Sequence, residues 1–205
     1  MIILEAGFWQ LLLQQLQHTS FLEWVGFVST IACIYLAAKE NIWNWPVSVV
    51  SIVVSAYLYF NTHLFGDFAL QFYFLFTAFY GWWFWLKKKK DNDKPIATLN
   101  KKQWWLVVFS VVFLTMVLGF LLDRYTPSNV AYEDGFCTAV SLVAQFMLTR
   151  KILENWILWI VVDICYIPLL LNKGLNLYAV LYAILVVIAI KGYIDWRKTY
   201  REQAN

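Results

Sequence analysis

Apolar runs about as long as a membrane-spanning helix recur along this chain, and clusters of lysine and arginine separate them. An α-helix rises about 1.5 Å per residue, so about 20 apolar residues cross the hydrocarbon of a bilayer. Seven segments are candidates: 21–38, 43–60, 65–86, 104–122, 135–149, 156–171 and 175–196. Inside lipid a backbone must satisfy its own N–H and C=O groups, which forces such runs to be helical. The expectation is an all-α polytopic membrane protein with seven transmembrane helices. Residues 2–17 predict an additional short amphipathic helix, in the interface or against the bundle. They do not resemble a cleaved signal peptide, because Glu5 precedes every basic residue and the first of these is Lys39.

The basic residues orient the chain. Lys39, the lysines from Lys87 to Lys102, Arg150, Lys151, Arg197, Lys198 and Arg201 fall on one side, thirteen of sixteen in all. The positive-inside rule then puts the N-terminus outside and the C-terminus in the cytoplasm, provided the number of spans is odd. With 61% hydrophobic and 14% charged residues, the net charge of +3 is no sign of nucleic-acid binding. The 12 tryptophans and 12 tyrosines suit a membrane boundary, where a ring is dry at one end and wet at the other. Cys33, Cys137 and Cys165 stand singly in apolar runs, as small apolar filler rather than a disulfide framework.

A shift of 111 residues superposes polar and aromatic marks without a gap. Glu23 falls on Asp134, Asn44 and Trp45 on Asn155 and Trp156, Asn61 on Asn172, Gly81 on Gly192, and Trp85 on Trp196. This predicts a 3+1+3 arrangement, two parallel three-helix repeats joined by the fourth segment. The divisions are an N-terminal segment at 1–20, the first repeat at 21–90, a linker and connecting helix at 91–125, the second repeat at 126–197 and a tail at 198–205. Parallel repeats of this kind occur in transporters, with substrate held between the halves near midplane.

Four stretches carry a family resemblance: WNWP at 43–46, YGWWFW at 80–85, ENWILW at 154–159 and KGYIDW at 191–196. They resemble the nicotinamide riboside transporters of the PnuC type over roughly residues 20–200. The resemblance implies a SWEET-like seven-helix fold, a homotrimer in the bacterial inner membrane, and facilitated diffusion of a vitamin. A separate cytoplasmic kinase would trap that vitamin as a phosphate ester. Thiamine and other B vitamins are the alternative substrates it implies. Trp156 and Trp159 match the family's substrate-stacking WxxW, and Trp45 lies in the matching segment of the first half. Lys191 departs from the pattern, where an apolar or small residue is expected.

Trp156 and Trp159 share a helix face, and an indole attracts a pyridinium ring by cation–π contact and stacking; the other reading is an interface belt. Asp163 continues that face. A carboxylate deep in a bilayer is a functional-site hypothesis by default. Its alternative is a structural pair with Lys191 or a neighbouring hydroxyl. Gln71, with Tyr73 beside it, offers a donor and an acceptor to a ribose or carboxamide, or else an interhelical hydrogen bond. Asn44 and Asn155 are ligands or helix caps. Tyr80, Tyr166, Tyr182 and Tyr193 serve as gate, donor or anchor, and Gly81 and Gly192 allow close packing near a moving gate. Pro168 lies inside a span and is either a static kink or a hinge. Glu23, Asp134 and Glu154 are solvated, unless they form an acidic mouth that draws a cation in.

Several chemistries are disfavoured. No glycine-rich phosphate loop is present, and His18 and His63 lack companions for a metal or a nucleophile triad. No cofactor is expected, and an enzyme is not. Aromatics, amides and one acid suit binding, with alternating access around a midplane cavity as the mechanism. The remaining reading, a membrane-embedded enzyme or a structural subunit binding lipid, predicts no solute flux.

Overall fold

The computed structural model describes residues 2–61, 65–90, 96–126 and 130–204. His63, Pro127 and the 91–95 part of the basic linker lie outside the described residues. The described residues form eight helices: α1 (Ile2–His18), α2 (Phe21–Ala38), α3 (Asn44–Asn61), α4 (Phe65–Lys90), α5 (Lys101–Tyr125), α6 (Ala131–Thr149), α7 (Asn155–Asn172) and α8 (Asn176–Ala204). Local chemistry sets several of the starts. Ser20 and Glu23 exchange hydrogen bonds in a capping box that opens α2, and Asn100 and Gln103 do the same for α5. Such boxes satisfy N–H groups that have no partner in the first turn.

The expectation of seven transmembrane helices in a SWEET-like 3+1+3 repeat is corrected here. Only four of the eight helices are long and apolar enough to cross a membrane: Phe21–Ala38, Lys101–Tyr125, Asn155–Asn172 and the stretch Asn176–Gln203 of α8. Segments 43–60 and 65–86 owe much of their apolar look to aromatic rings. Tryptophan and tyrosine are amphipathic and favour a boundary over the hydrocarbon. In addition, α3 carries Asn44, Ser48, Ser51, Ser55 and Asn61, and α6 opens on Glu133 and Asp134.

Helix α2 packs on α3 and α8, α3 on α4, α4 on α6, and α6 on both α5 and α7, while α7 packs on α8. Apolar burial drives little of this inside lipid, so close fit must hold the helices together. Gly135 and Gly119 supply such a fit: a Cβ on Gly135 would stand 2.7 Å from the Gly119 backbone nitrogen, so α5 and α6 meet backbone to backbone. The rest of α5 faces outward, with Trp105, Phe109, Phe113, Met116 and Phe120 exposed. Helix α1 rests on α8, where Asn176 Nδ2 donates to Phe8 O and the Leu177 N–H donates to Gln15 Oε1. Pro168 is accommodated within a continuous α7.

Candidate functional site

Two cavities, of about 320 Å³ and about 150 Å³, share a wall made by Ile34, Ser51, Ile52, Phe74, Trp159 and Asp163. The smaller one reaches Asn44, Trp45, Ser48, Gln145 and Trp156. The larger one extends along Thr30, Ser55, Gln71, Thr138 and Ser141 to Glu23 and Tyr178, in the first turns of α2 and α8.

Helix geometry explains what faces this space. Trp156, Trp159 and Asp163 follow one another at spacings of three and four on α7, which puts them in one stripe. Asp163 is only 3% exposed, and among the described residues its carboxylate has no ion-pair partner. Lys191 is exposed, and no ion pair between it and Asp163 is present among the described residues. Apart from Asp163 and Glu23, no acidic or basic residue lines either cavity. Thr30 Oγ1 donates to Gly26 O at 2.8 Å and lies 2.7 Å from Ser51 Oγ, so these hydroxyls are oriented before any ligand arrives. Tyr166 and Tyr182 lie 4.8 Å apart at their ring centroids on the far side.

The floor of the smaller cavity is built from tryptophans. Trp45 meets Trp85 edge to face at 5.3 Å and 85°, and Trp156 meets Trp196 at 5.4 Å and 88°. These four residues are the ones that coincide at an offset of 111, and Trp85 and Trp196 then touch each other at 6.0 Å. Gly81 lies beneath Trp45 and Gly192 beneath Trp156, each too close to the ring for a side chain. The likeness is one of helix starts and ring packing at this end of the bundle. Asn44 and the indole nitrogens of Trp45 and Trp156 are buried without a hydrogen-bond partner among the described residues. Buried polar groups are normally paired, and these unpaired ones belong to residues that line the smaller cavity.

The sequence-derived residues thus divide into two groups. Trp156, Trp159, Asp163, Gln71, Asn44 and Trp45 all line the cavities. Tyr73 and Asn155 do not: Tyr73 Oη donates to Leu142 O at 2.8 Å and ties α4 to α6, and Asn155 Nδ2 donates to Ile152 O at 2.6 Å in the turn before α7. Tyr193 lies under the Arg197 guanidinium, 6.0 Å from its ring centroid, away from both cavities. Tyr80 accepts a hydrogen bond from Arg150 Nη1 at 2.6 Å at the basic end. The hydroxyl band of Thr30, Ser51, Ser55, Thr138 and Ser141, together with Gln145, was missed. The signal was present in the sequence, since Ser51 and Ser55 lie four apart, as do Ser141 and Gln145.

Glu154 does not form part of an acidic mouth. Its two carboxylate oxygens accept the Leu99 N–H at 3.2 and 3.1 Å, and burial raises its carboxyl above the ordinary value despite that bond. Asp134 pairs with Lys173 at 3.4 Å at the opposite end.

An apolar helix bundle around a mainly apolar space that carries a few hydroxyls, amides and one buried acid, with aromatic rings at its floor, is the build of a membrane carrier of small molecules. Residues 20–198 match the family model described as nicotinamide mononucleotide transporter, and the chain belongs to that family. The nicotinamide riboside transporter PnuC of Escherichia coli K12 is 26% identical over 212 residues, covering 91% of this chain and 89% of that protein. The PnuC of Neisseria mucosa is 28% identical over 200 residues, covering 91% and 75%. The riboflavin/roseoflavin transporter RibM of Streptomyces davaonensis is 23% identical over 184 residues, covering 88% and 86%. A crystal structure of the vitamin B3 transporter PnuC superposes with a TM-score of 0.75 at 26% identity, covering 98% of this chain and 91% of that one.

Proposed function

We propose that this protein is an integral membrane transporter that carries nicotinamide riboside by facilitated diffusion. The carrying observation is the acidic, base-free lining of the cavities: buried Asp163 beside Trp159, with Glu23 further out and no lysine or arginine in either lining. A pyridinium cation stacked on Trp159 would satisfy the carboxylate, and Thr30, Ser51, Ser55 and Gln71 would meet the ribose hydroxyls. Asn44 suits the carboxamide, because it can donate and accept at once. A mononucleotide would bring a phosphate into a space that offers only acidic charge, so the riboside is the better match of the two.

The transporter lies in the bacterial inner membrane. The end that gathers Lys39, Arg150, Lys151 and Arg197 faces the cytoplasm, as the positive-inside rule asks. Helix α1 packs on the start of α8, at the end away from these basic residues. Net uptake then depends on a separate cytoplasmic kinase that traps the riboside as a phosphate ester, and the working assembly is a homotrimer in lipid. Tyr80, Gly81, Gly192 and Lys191 belong to the moving and packing parts rather than to the ligand shell.

Riboflavin is the second reading, supported by the similarity to RibM, and thiamine, another flat aromatic cation, is the third. Tryptophan fluorescence of the purified protein, titrated with each compound and with nicotinamide mononucleotide, tests the choice. The riboside is expected to quench at the lowest concentration, and preference for the mononucleotide would overturn the assignment.

A further inference from the structure

We propose that Glu40 and Lys151 form a latch that shuts the cytoplasmic mouth of the carrier, and that they separate each time substrate passes. The inference rests on the transport reading above. Glu40 ends the turn after α2 and Lys151 the turn after α6, and they stand at the same offset of 111 as the floor tryptophans. Both have left-handed backbones, with φ of 51° and 55°, a conformation that non-glycine residues avoid unless their surroundings hold them there. Each closes its helix in a capping turn, the Asn41 N–H donating to Leu36 O and the Ile152 N–H to Met147 O, and the two side chains then meet: Lys151 Nζ lies 3.0 Å from Glu40 Oε2, and both side chains are largely buried.

The pair caps the tryptophan floor. Lys151 Nζ sits 4.5 Å from the Trp85 ring centroid, and Trp85 contacts both Trp45 and Trp196. Trp196 Nε1 donates to Ala37 O, which joins α8 to the end of α2 beside Glu40. Behind Lys151, Ala97 bridges the same turn: its N–H donates to Lys151 O, and its carbonyl accepts from the Leu153 N–H. A nucleoside leaving the smaller cavity toward this end meets four packed indoles and then the ion pair. The larger cavity, by contrast, runs to Glu23 and Tyr178 at the other end. The structure is therefore closed on the basic side, and passage requires this junction to part.

The chemistry suits a two-state element. Closed, the pair gains from its short contact and from the indole face. Open, both charges regain water, which offsets much of what is lost, so neither state is a trap. Neither residue lines a cavity, so a latch defect need not be a binding defect.

The test joins E40C and K151C with a short, reductively cleavable thiol cross-linker in protein reconstituted into liposomes. E40C alone and K151C alone, treated identically, control for the native cysteines. The expected result is retained riboside binding with flux reduced at least about tenfold, restored when the linker is cut. Undiminished flux through the linked protein overturns the latch, as does loss of binding together with flux. Failure of the unmodified protein to bind the riboside would instead fell the functional reading beneath it. A second arm exchanges the charges. E40K and K151E are each expected to impair transport, and the double exchange E40K/K151E to recover it; a double variant no better than the singles overturns the proposal.

Discussion

Gly192 lies flat beneath the indole of Trp156: a Cβ there would come within 2.8 Å of Trp156 Cε2, and the matching Cβ on Gly81 would come within 2.2 Å of Trp45 Cη2. The rings that form the cavity floor are held against helix backbone, so their position is fixed by the absence of a side chain on the neighbouring helix. Gly192→Ala and Gly81→Ala should each destabilise by about 1–3 kcal/mol through overpacking. Gly81→Ala should be the more severe, because its contact is closer. Thermal unfolding in detergent measures both, and unchanged melting temperatures would show that the rings can move aside freely.

Trp156 and Trp159 should separate on mutation. Trp156 is buried in an edge-to-face contact with Trp196, so Trp156→Ala is expected to cost about 3–5 kcal/mol of stability. Trp159 borders both cavities and is less enclosed. Trp159→Ala should weaken riboside binding about tenfold while the protein stays folded, and Trp159→Phe should retain part of the affinity. Melting curves paired with ligand titrations distinguish the two outcomes.

Asp163→Asn keeps the side-chain shape and removes a buried carboxyl group that has no ion-pair partner among the described residues. Stability should hold or rise, since a buried ionisable group without a partner is costly. Riboside affinity should fall about tenfold or more, because the cation loses its partner. Calorimetric binding with a parallel melting curve checks the pair of effects. Intact affinity in the folded variant would remove Asp163 from the site.

Glu154 gives a pH dependence. Burial raises its carboxyl pKa above the ordinary 4.5. A group raised on folding binds its proton more tightly in the folded state, so its stabilisation is complete below the unfolded value. That contribution is lost as pH rises through the folded value. Glu154→Gln keeps an acceptor for the Leu99 N–H without the titration. The melting temperature of the variant should therefore decline less than that of the parent as pH rises from 4 toward neutrality. Parallel curves would contradict this account of Glu154.

How much of this was legible in the sequence follows from what polar groups do in an apolar chain. The ends of α2 and α7 were marked by Lys39 and Glu40 and by Asn155 and Asn172, because charges and amides punctuate apolar helices. Asp163 stood out for the same reason. The hydroxyl band was hidden, since a serine in a helix can return its hydrogen bond to the backbone, as Ser141 does to Cys137 O at 2.9 Å. Tyr73 turns toward Leu142 on α6, and a sequence shows the depth of such a residue but not its direction. The number of spans failed because aromatic residues made α3 and α4 look more apolar than they are, and because the apolar part of α6 is short and starts after Glu133 and Asp134. The Glu40–Lys151 pair joins two turns remote in sequence, and only the packed bundle shows that they touch.

The central claim, that the cavities select an unphosphorylated cationic nucleoside, is tested most directly by uptake into proteoliposomes that contain a riboside kinase and ATP. The account predicts saturable uptake of nicotinamide riboside without a proton or sodium gradient, and little entry of nicotinamide mononucleotide. Equal entry of the mononucleotide, or no saturable entry of the riboside, would contradict it.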